Sequence, residues 1–112
     1  MHELDPESAE ELDALCEQLG SAGENLRRAV ERVCENPSGQ RQPRHRYTKK
    51  FHSPKTYAGG SKKAKVMEFT TNHWRGLFRL VSHEKDGVTH RLVVFIPIGN
   101  RRFFPIDDCP WH

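Results

Sequence analysis

Four apolar-rich runs in the second half of the chain decide the expected fold. They read SKKAKVMEF (61–69), NHWRGLFRLVS (72–82), THRLVVFIPI (89–98) and GNRRFF (99–104). Short turn signals separate the runs, and arginines lie at their ends and along one side. The pattern predicts an antiparallel meander of about four strands over residues 62–106, which displays cationic side chains.

Turn chemistry and apolar content set the expected strand boundaries. We expect strands over residues 64–70, 74–82, 89–96 and 101–104, with turns at 71–72, 84–87 and 99–100. The third strand is the most apolar and should be internal, and Pro105 should end the pairing of the fourth. Because side chains alternate along a strand, Arg75 and Arg79 should share one face, and Phe78 should lie on the other.

Residues 5–36 predict a helical hairpin. The Asp-Pro dipeptide at 5–6 offers an N-cap oxygen and a proline suited to the first helical position. Gly20 should end the first helix, the Ser-x-x-Glu pattern at 21–24 is that of a capping box for the second, and Asn-Pro at 36–37 should end it. A hairpin that covers one face of the sheet makes an α+β domain. Residues 1–4 fit either an edge strand or a frayed start.

Charge is distributed unevenly along the chain. Residues 1–36 carry ten acidic and three basic side chains, whereas residues 37–106 carry fifteen basic and three acidic ones. The connector at 37–61 contains prolines, a Gly-Gly pair, and aromatic residues interleaved with cations. It predicts either a surface for single-stranded nucleic acid, because cations neutralise phosphates and rings stack on bases, or a disordered basic linker. A short tail at 107–112 follows the meander.

Length and composition limit the functional classes. The 112 residues make one domain, and no run approaches the length of a membrane span. The acidic N-terminus lacks the features of a secretory signal, so we expect a cytoplasmic protein with no membrane partner. Three cysteines without a CxxC pair indicate reduced thiols. The seven scattered histidines predict no metal site, and no cofactor is expected.

The order of elements and three local motifs resemble the RelE/ParE superfamily of bacterial type II toxin–antitoxin toxins. After the helical hairpin, the motifs are VMEF (66–69), HWRGLFRLV (73–81) and LVVFIPIGNRR (92–102). The resemblance implies a single RelE-like domain over 1–112, with the hairpin packed on a twisted antiparallel sheet. It implies a metal-independent endonuclease that cleaves mRNA on the ribosome or, in the ParE branch, a gyrase inhibitor. A cognate antitoxin would be its protein partner.

The resemblance also suggests catalytic residues. Arg75 matches the family's strand arginine at the scissile phosphate, and Arg101 matches its second catalytic arginine; guanidinium suits both roles because it stays charged and binds bidentately. Glu68 is the candidate base for the 2′-hydroxyl, since some members place a carboxylate on the preceding strand. The alternative for Glu68 is a cross-strand partner of Arg75 or Arg79. His112 would be the acid, because its pKa lies near neutrality.

A further group of side chains would bind the RNA rather than react with it. Lys65 lies three residues before Glu68, so a regular strand directs the two to opposite faces, and we assign this lysine to the RNA backbone. The predicted RNA-binding residues are Lys62, Lys63, Lys65, Arg79, Arg102 and Trp111, the last by stacking on a base. A non-catalytic RNA-binding module is the rival interpretation, which needs the connector and the sheet but neither Glu68 nor His112.

Overall fold

The computed structural model describes residues 2–37, 45–47 and 66–110. Its elements are, in chain order, β1 (Glu3–Leu4), α1 (Pro6–Leu19), α2 (Ser21–Glu35), β2 (His45–Tyr47), β3 (Met67–Thr70), β4 (Trp74–Lys85), β5 (Val88–Phe95) and β6 (Phe104–Pro105). One turn of 3-10 helix follows at Ile106–Asp108. No helix of the described residues is long and apolar enough to cross a membrane.

The strands form one sheet in the order β1-β5-β4-β3-β2, and β6 pairs with the start of β4. The predicted α+β class, with a helical hairpin packed on a sheet, is confirmed. The sheet is mixed rather than antiparallel, because β1 runs parallel to β5, with Leu4 opposite Val93. Residues 1–4 thus contain an edge strand. Part of the connector at 37–61, in which no strand was expected, is also a strand, since β2 pairs with β3.

The two helices follow each other without a linker. Asp5 caps α1, as expected, by accepting from the N–H and the hydroxyl of Ser8. Gly20 ends α1 with a φ of 62° and is also the residue before α2. The expected capping box is wrong, because Ser21 is already the first residue of α2 and no side chain caps that helix.

The turn between β4 and β5 is shorter than expected. Asp86 and Gly87 have φ values of 54° and 76°, which is the geometry of a two-residue type I′ turn. So tight a turn lets β4 and β5 pair as far as Lys85 and Val88, three residues beyond the expected end of β4. Pro105 lies opposite Trp74 and is the last residue of β6, so the pairing ends at this proline as expected.

The main core lies between the helices and one face of the sheet. Its members include Leu12, Leu26, Val30 and Val33 from the helices, and Phe69, Phe78, Val93, Phe95 and Phe103 from the sheet side. The ring of Phe95 is central, with centroids 5.7 Å from Phe69, 5.6 Å from Phe78 and 4.7 Å from Phe103. A smaller cluster of Val66, Leu77 and Ile96 lies on the opposite face, so the predicted alternation along β4 is confirmed.

The Gly23→Ala substitution should destabilise the protein, although helix propensity alone predicts a gain of about 1 kcal/mol. A Cβ at residue 23 would lie 2.6 Å from the Cα of Cys16, a backbone atom of α1 that cannot rotate away. We expect the free energy of unfolding, measured by urea denaturation, to fall by about 1–3 kcal/mol. Ser21→Ala, at an exposed position of the same turn, is the control. A more stable Gly23→Ala protein would contradict the close approach of the helices.

Candidate functional site

Glu68 and two arginines share the sheet face that points away from the helices. The β3–β4 register places Glu68 opposite Leu77, so Arg75 and Arg79 lie diagonally on either side of it. Nη1 of Arg75 is 3.6 Å from Oε2 of Glu68. The interpretation of Glu68 as a cross-strand partner of Arg75 is therefore confirmed, while its role as a base stays a prediction.

The carboxylate of Glu68 is deeply buried. Its side chain is 2% exposed, compared with 20% for that of Arg75. An unpaired carboxylate at such a position would be costly, because burial removes the water that stabilises its charge. Arg75 supplies part of the compensation, and the ion pair in turn restricts the orientation of its guanidinium.

Arg79 has an unused donor on the same face. Its Cα partner is Val94 of β5, and its Nε is buried with no acceptor among the residues that the structure describes. Buried polar groups are nearly always paired in folded proteins, so such an N–H has much to gain from an incoming oxyanion. Nε of Arg102 is buried in the same way although its Nη atoms are paired with carboxylates, so this feature alone does not mark a phosphate ligand.

Arg101 lies on this side of the sheet, where its side chain contacts the ring of Phe104. The guanidinium carbon of Arg101 is 5.0 Å from the centroid of the Phe104 ring, a cation–π contact. Phe104 is the Cα partner of Arg75, so the two side chains leave the sheet on the same side. Nη1 of Arg101 also lies 3.2 Å from Oδ2 of Asp108, in an exposed pair. We call Glu68, Arg75, Arg79 and Arg101 the cationic face.

Arg102 is directed to α1 instead. Its Nη1 lies 3.1 Å from Oε1 of Glu11 and its Nη2 lies 2.9 Å from Oε2 of Glu7. The backbone N–H groups of Arg102 and Phe103 donate to Oε2 of Glu11 at 2.7 and 3.2 Å. Two carboxylates thus already compensate Arg102, whose assignment to RNA binding stays a prediction. The sequence signal for this contact was the i, i+4 pair of glutamates in the first turns of α1.

Five predicted site residues fall beyond what can be placed. Lys62, Lys63, Lys65, Trp111 and His112 lie outside the described residues. Their roles as backbone contacts, stacking ring and general acid therefore stay predictions. In β2, Arg46 is the Cα partner of Glu68, a pairing that was not expected because no strand was predicted within the connector at 37–61.

The described residues were compared with two further kinds of site, a reactive thiol and a metal site. Cys16 and Cys34 are free thiols. Burial, with a contribution from the nearby Glu31 and Glu35, raises the pKa of the Cys34 thiol to about 11, so it stays protonated at neutral pH. No three His, Cys, Asp or Glu side chains of the described residues are grouped as metal ligands would be.

Comparison with known proteins adds no assignment. No protein-family model matches the chain, and neither a curated protein nor a solved structure shows significant similarity to it. The resemblance to RelE/ParE toxins therefore rests on the order of elements and the sequence motifs alone.

Removing the Glu11 carboxylate should loosen the segment that carries Arg101. Glu11→Ala leaves the N–H groups of Arg102 and Phe103 without their acceptor, and we expect the free energy of unfolding to fall by about 2–3 kcal/mol in urea denaturation. Glu10→Ala, an exposed neighbour on the same turn, is the matched control and should have little effect. Equal stabilities of the two variants would contradict this role of Glu11.

Proposed function

We propose that the protein is a toxin-type, metal-independent endoribonuclease that acts in the cytoplasm on mRNA bound to the ribosome. The observation that supports this best is the cationic face, where Arg75 and Arg79 flank a buried carboxylate and Arg101 approaches from the adjoining segment. Three guanidinium groups on one side of a sheet suit a phosphodiester, since each keeps its charge and can offer paired donors.

The proposed reaction is transfer of the phosphoryl group to the neighbouring 2′-oxygen. The 2′-oxygen attacks phosphorus, its proton passes to a base, and the bond from phosphorus to the 5′-oxygen breaks as that oxygen takes a proton from an acid. The products are a 2′,3′-cyclic phosphate and a 5′-hydroxyl. Arg75, Arg79 and Arg101 would stabilise the negative charge that develops on the non-bridging oxygens.

Glu68 would act as the base once RNA is bound. In the free protein its carboxylate is paired with Arg75. A phosphate that binds Arg75 competes with this ion pair, and the released carboxylate can then accept the proton of the 2′-hydroxyl. His112 would supply the proton to the leaving oxygen, because an imidazole titrates near neutral pH.

A cognate antitoxin is the proposed protein partner. Acidic and apolar segments of such a protein would complement the cationic face and block access to Arg75 and Arg101. The neutralising contact would lie on the sheet side that faces away from the helices.

Replacing Arg75 should abolish cleavage. Removal of one charge-stabilising donor typically costs about 10²–10³ in rate, so Arg75→Ala should end growth arrest on induced expression and eliminate mapped transcript cleavage. Because this variant leaves the buried Glu68 carboxylate without that arginine, Arg75→Lys serves as a second variant that keeps the charge. Arg91→Ala, at an exposed position of β5, is the control. Full cleavage by a folded Arg75 variant would contradict the proposal.

Glu68→Gln separates catalysis from binding. The amide keeps the shape of the side chain but cannot accept a proton, so cleavage should slow much more than RNA affinity falls. Cleavage is measured on a defined transcript, affinity on a 2′-O-methyl RNA that cannot react, and Glu84→Gln, which is exposed on β4, is the control.

Other outcomes of these assays identify the rival functions. Equal losses of cleavage and affinity in Glu68→Gln would favour a non-catalytic RNA-binding module in which Glu68 only orients Arg75. Inhibition of DNA supercoiling by gyrase without transcript cleavage would favour a ParE-like toxin.

A further inference from the structure

A second cationic recess lies on the helix side of the sheet, between α2 and the turn that joins β3 to β4. It has a volume of about 300 Å³, at the lower end of the range for ligand pockets. One wall is α2, with Asn25, Arg28, Ala29 and Arg32, and the other is the turn at 71–74, with His73 and Trp74. We call this recess the α2 cleft.

The α2 wall is a single stripe of the helix. Its four residues follow i, i+3, i+4, i+7 spacing, which brings them to one side of α2. Ala29 is the small residue of the stripe, and its methyl group leaves space between Arg28 and Arg32. Neither arginine forms an ion pair with a described residue, and no carboxylate lines the cleft. The wall therefore offers two positive charges, neither of them paired with a described carboxylate, around an open space.

The opposite wall is held rigidly. Oγ1 of Thr71 accepts from the backbone N–H groups of His73 and Trp74 at 3.1 and 2.8 Å, which fixes the turn. Trp74 packs against the main core, is only partly buried and lines the cleft. His73 is exposed beside it. A fixed aromatic ring opposite two guanidinium groups suits a ligand that has both a flat base and a phosphate.

We propose that the α2 cleft binds one nucleotide of single-stranded RNA, with its base against Trp74 and its phosphate between Arg28 and Arg32. This goes beyond the proposed nuclease site, which lies on the other side of the sheet. Trp74 and Arg75 are consecutive residues that face opposite sides at the start of β4. An RNA strand bound at both sites passes over the 71–74 turn, so the cleft would hold the message beside the scissile phosphate.

Filling the cleft tests the proposal without changing the net charge. The probe is a single-stranded 2′-O-methyl RNA of about twelve nucleotides, whose affinity for the full chain is measured by fluorescence anisotropy. In Ala29→Leu the larger side chain fills cleft space that the nucleotide would occupy, and we expect about tenfold weaker binding. Ala22→Leu, exposed on the same helix, should bind as the parent does. Unchanged affinity in a folded Ala29→Leu protein would overturn the proposal.

Salt dependence tests the phosphate contact. Each phosphate that is neutralised on a single strand contributes about 0.7 to the slope of log affinity against log salt, so Arg28→Gln with Arg32→Gln, which removes the contacts to one phosphate, should reduce the slope by about 0.7. Lys85→Gln with Arg91→Gln removes the same charge from exposed positions at the far end of the β4–β5 hairpin and should leave the slope nearly unchanged. Equal reductions in both double variants would overturn a specific phosphate site.

Two further ligands distinguish this site from other anion binding and from the nuclease. A duplex RNA should be insensitive to Ala29→Leu, because its bases are stacked and cannot enter the cleft. Equal weakening of duplex binding, or binding of a polyglutamate peptide with the same sensitivity, would overturn the proposal. The 2′-O-methyl probe is never cleaved, so weakened binding in Ala29→Leu supports the cleft whether or not the chain is a nuclease.

Discussion

The carboxylate of Glu11 fixes the segment on which the arrangement of the cationic face depends. Its Oε2 accepts from two successive N–H groups, those of Arg102 and Phe103, and its Oε1 binds the Arg102 side chain. With Arg102 held against α1, the ring of Phe103 enters the core and Phe104 pairs opposite Arg75 on the far side of the sheet. One glutamate on a helix therefore determines where the ring that supports Arg101 lies.

The contacts of Glu11 also show that some of the acidic side chains in residues 1–36 pair with cations of the same molecule. A division into an acidic and a basic half suggests separate surfaces for separate partners, but part of the acidic half is used inside the molecule. Glu7 and Glu11 bind Arg102, and Glu3 lies 3.1 Å from His90 of β5. These pairs join the N-terminal elements to the sheet. The cations left for other partners are consequently fewer than the sequence indicates, and they include both the cationic face and the pair in the α2 cleft.

Hydrophobic periodicity predicted the fold correctly where the whole pattern lies within a single helix or strand. The spacing of the helices and the alternation along β4 are local, and both were predicted correctly. The two-residue β1 and the three-residue β2 are too short to show a periodic pattern in the sequence. They form because each pairs with a longer neighbouring strand, β1 with β5 and β2 with β3. The GNRR motif likewise cannot indicate which arginine meets Glu11. The i, i+3, i+4, i+7 spacing at 25–32 can be recognised in the sequence. The opposite wall of the α2 cleft, at 71–74, is about forty residues away, and only folding brings the two walls together.

The buried pair of Glu68 and Arg75 is hard to explain by stability alone. Removing two charges from water costs about as much as their attraction returns, and an apolar pair of similar size would serve the core as well or better. A phosphate offers Arg75 the same kind of partner as a carboxylate does. Exchange of one anion for the other keeps the guanidinium paired throughout, so it should require little reorganisation. Under the proposed function, Glu68 keeps the arginine in position before RNA arrives and becomes available as a base only after the exchange.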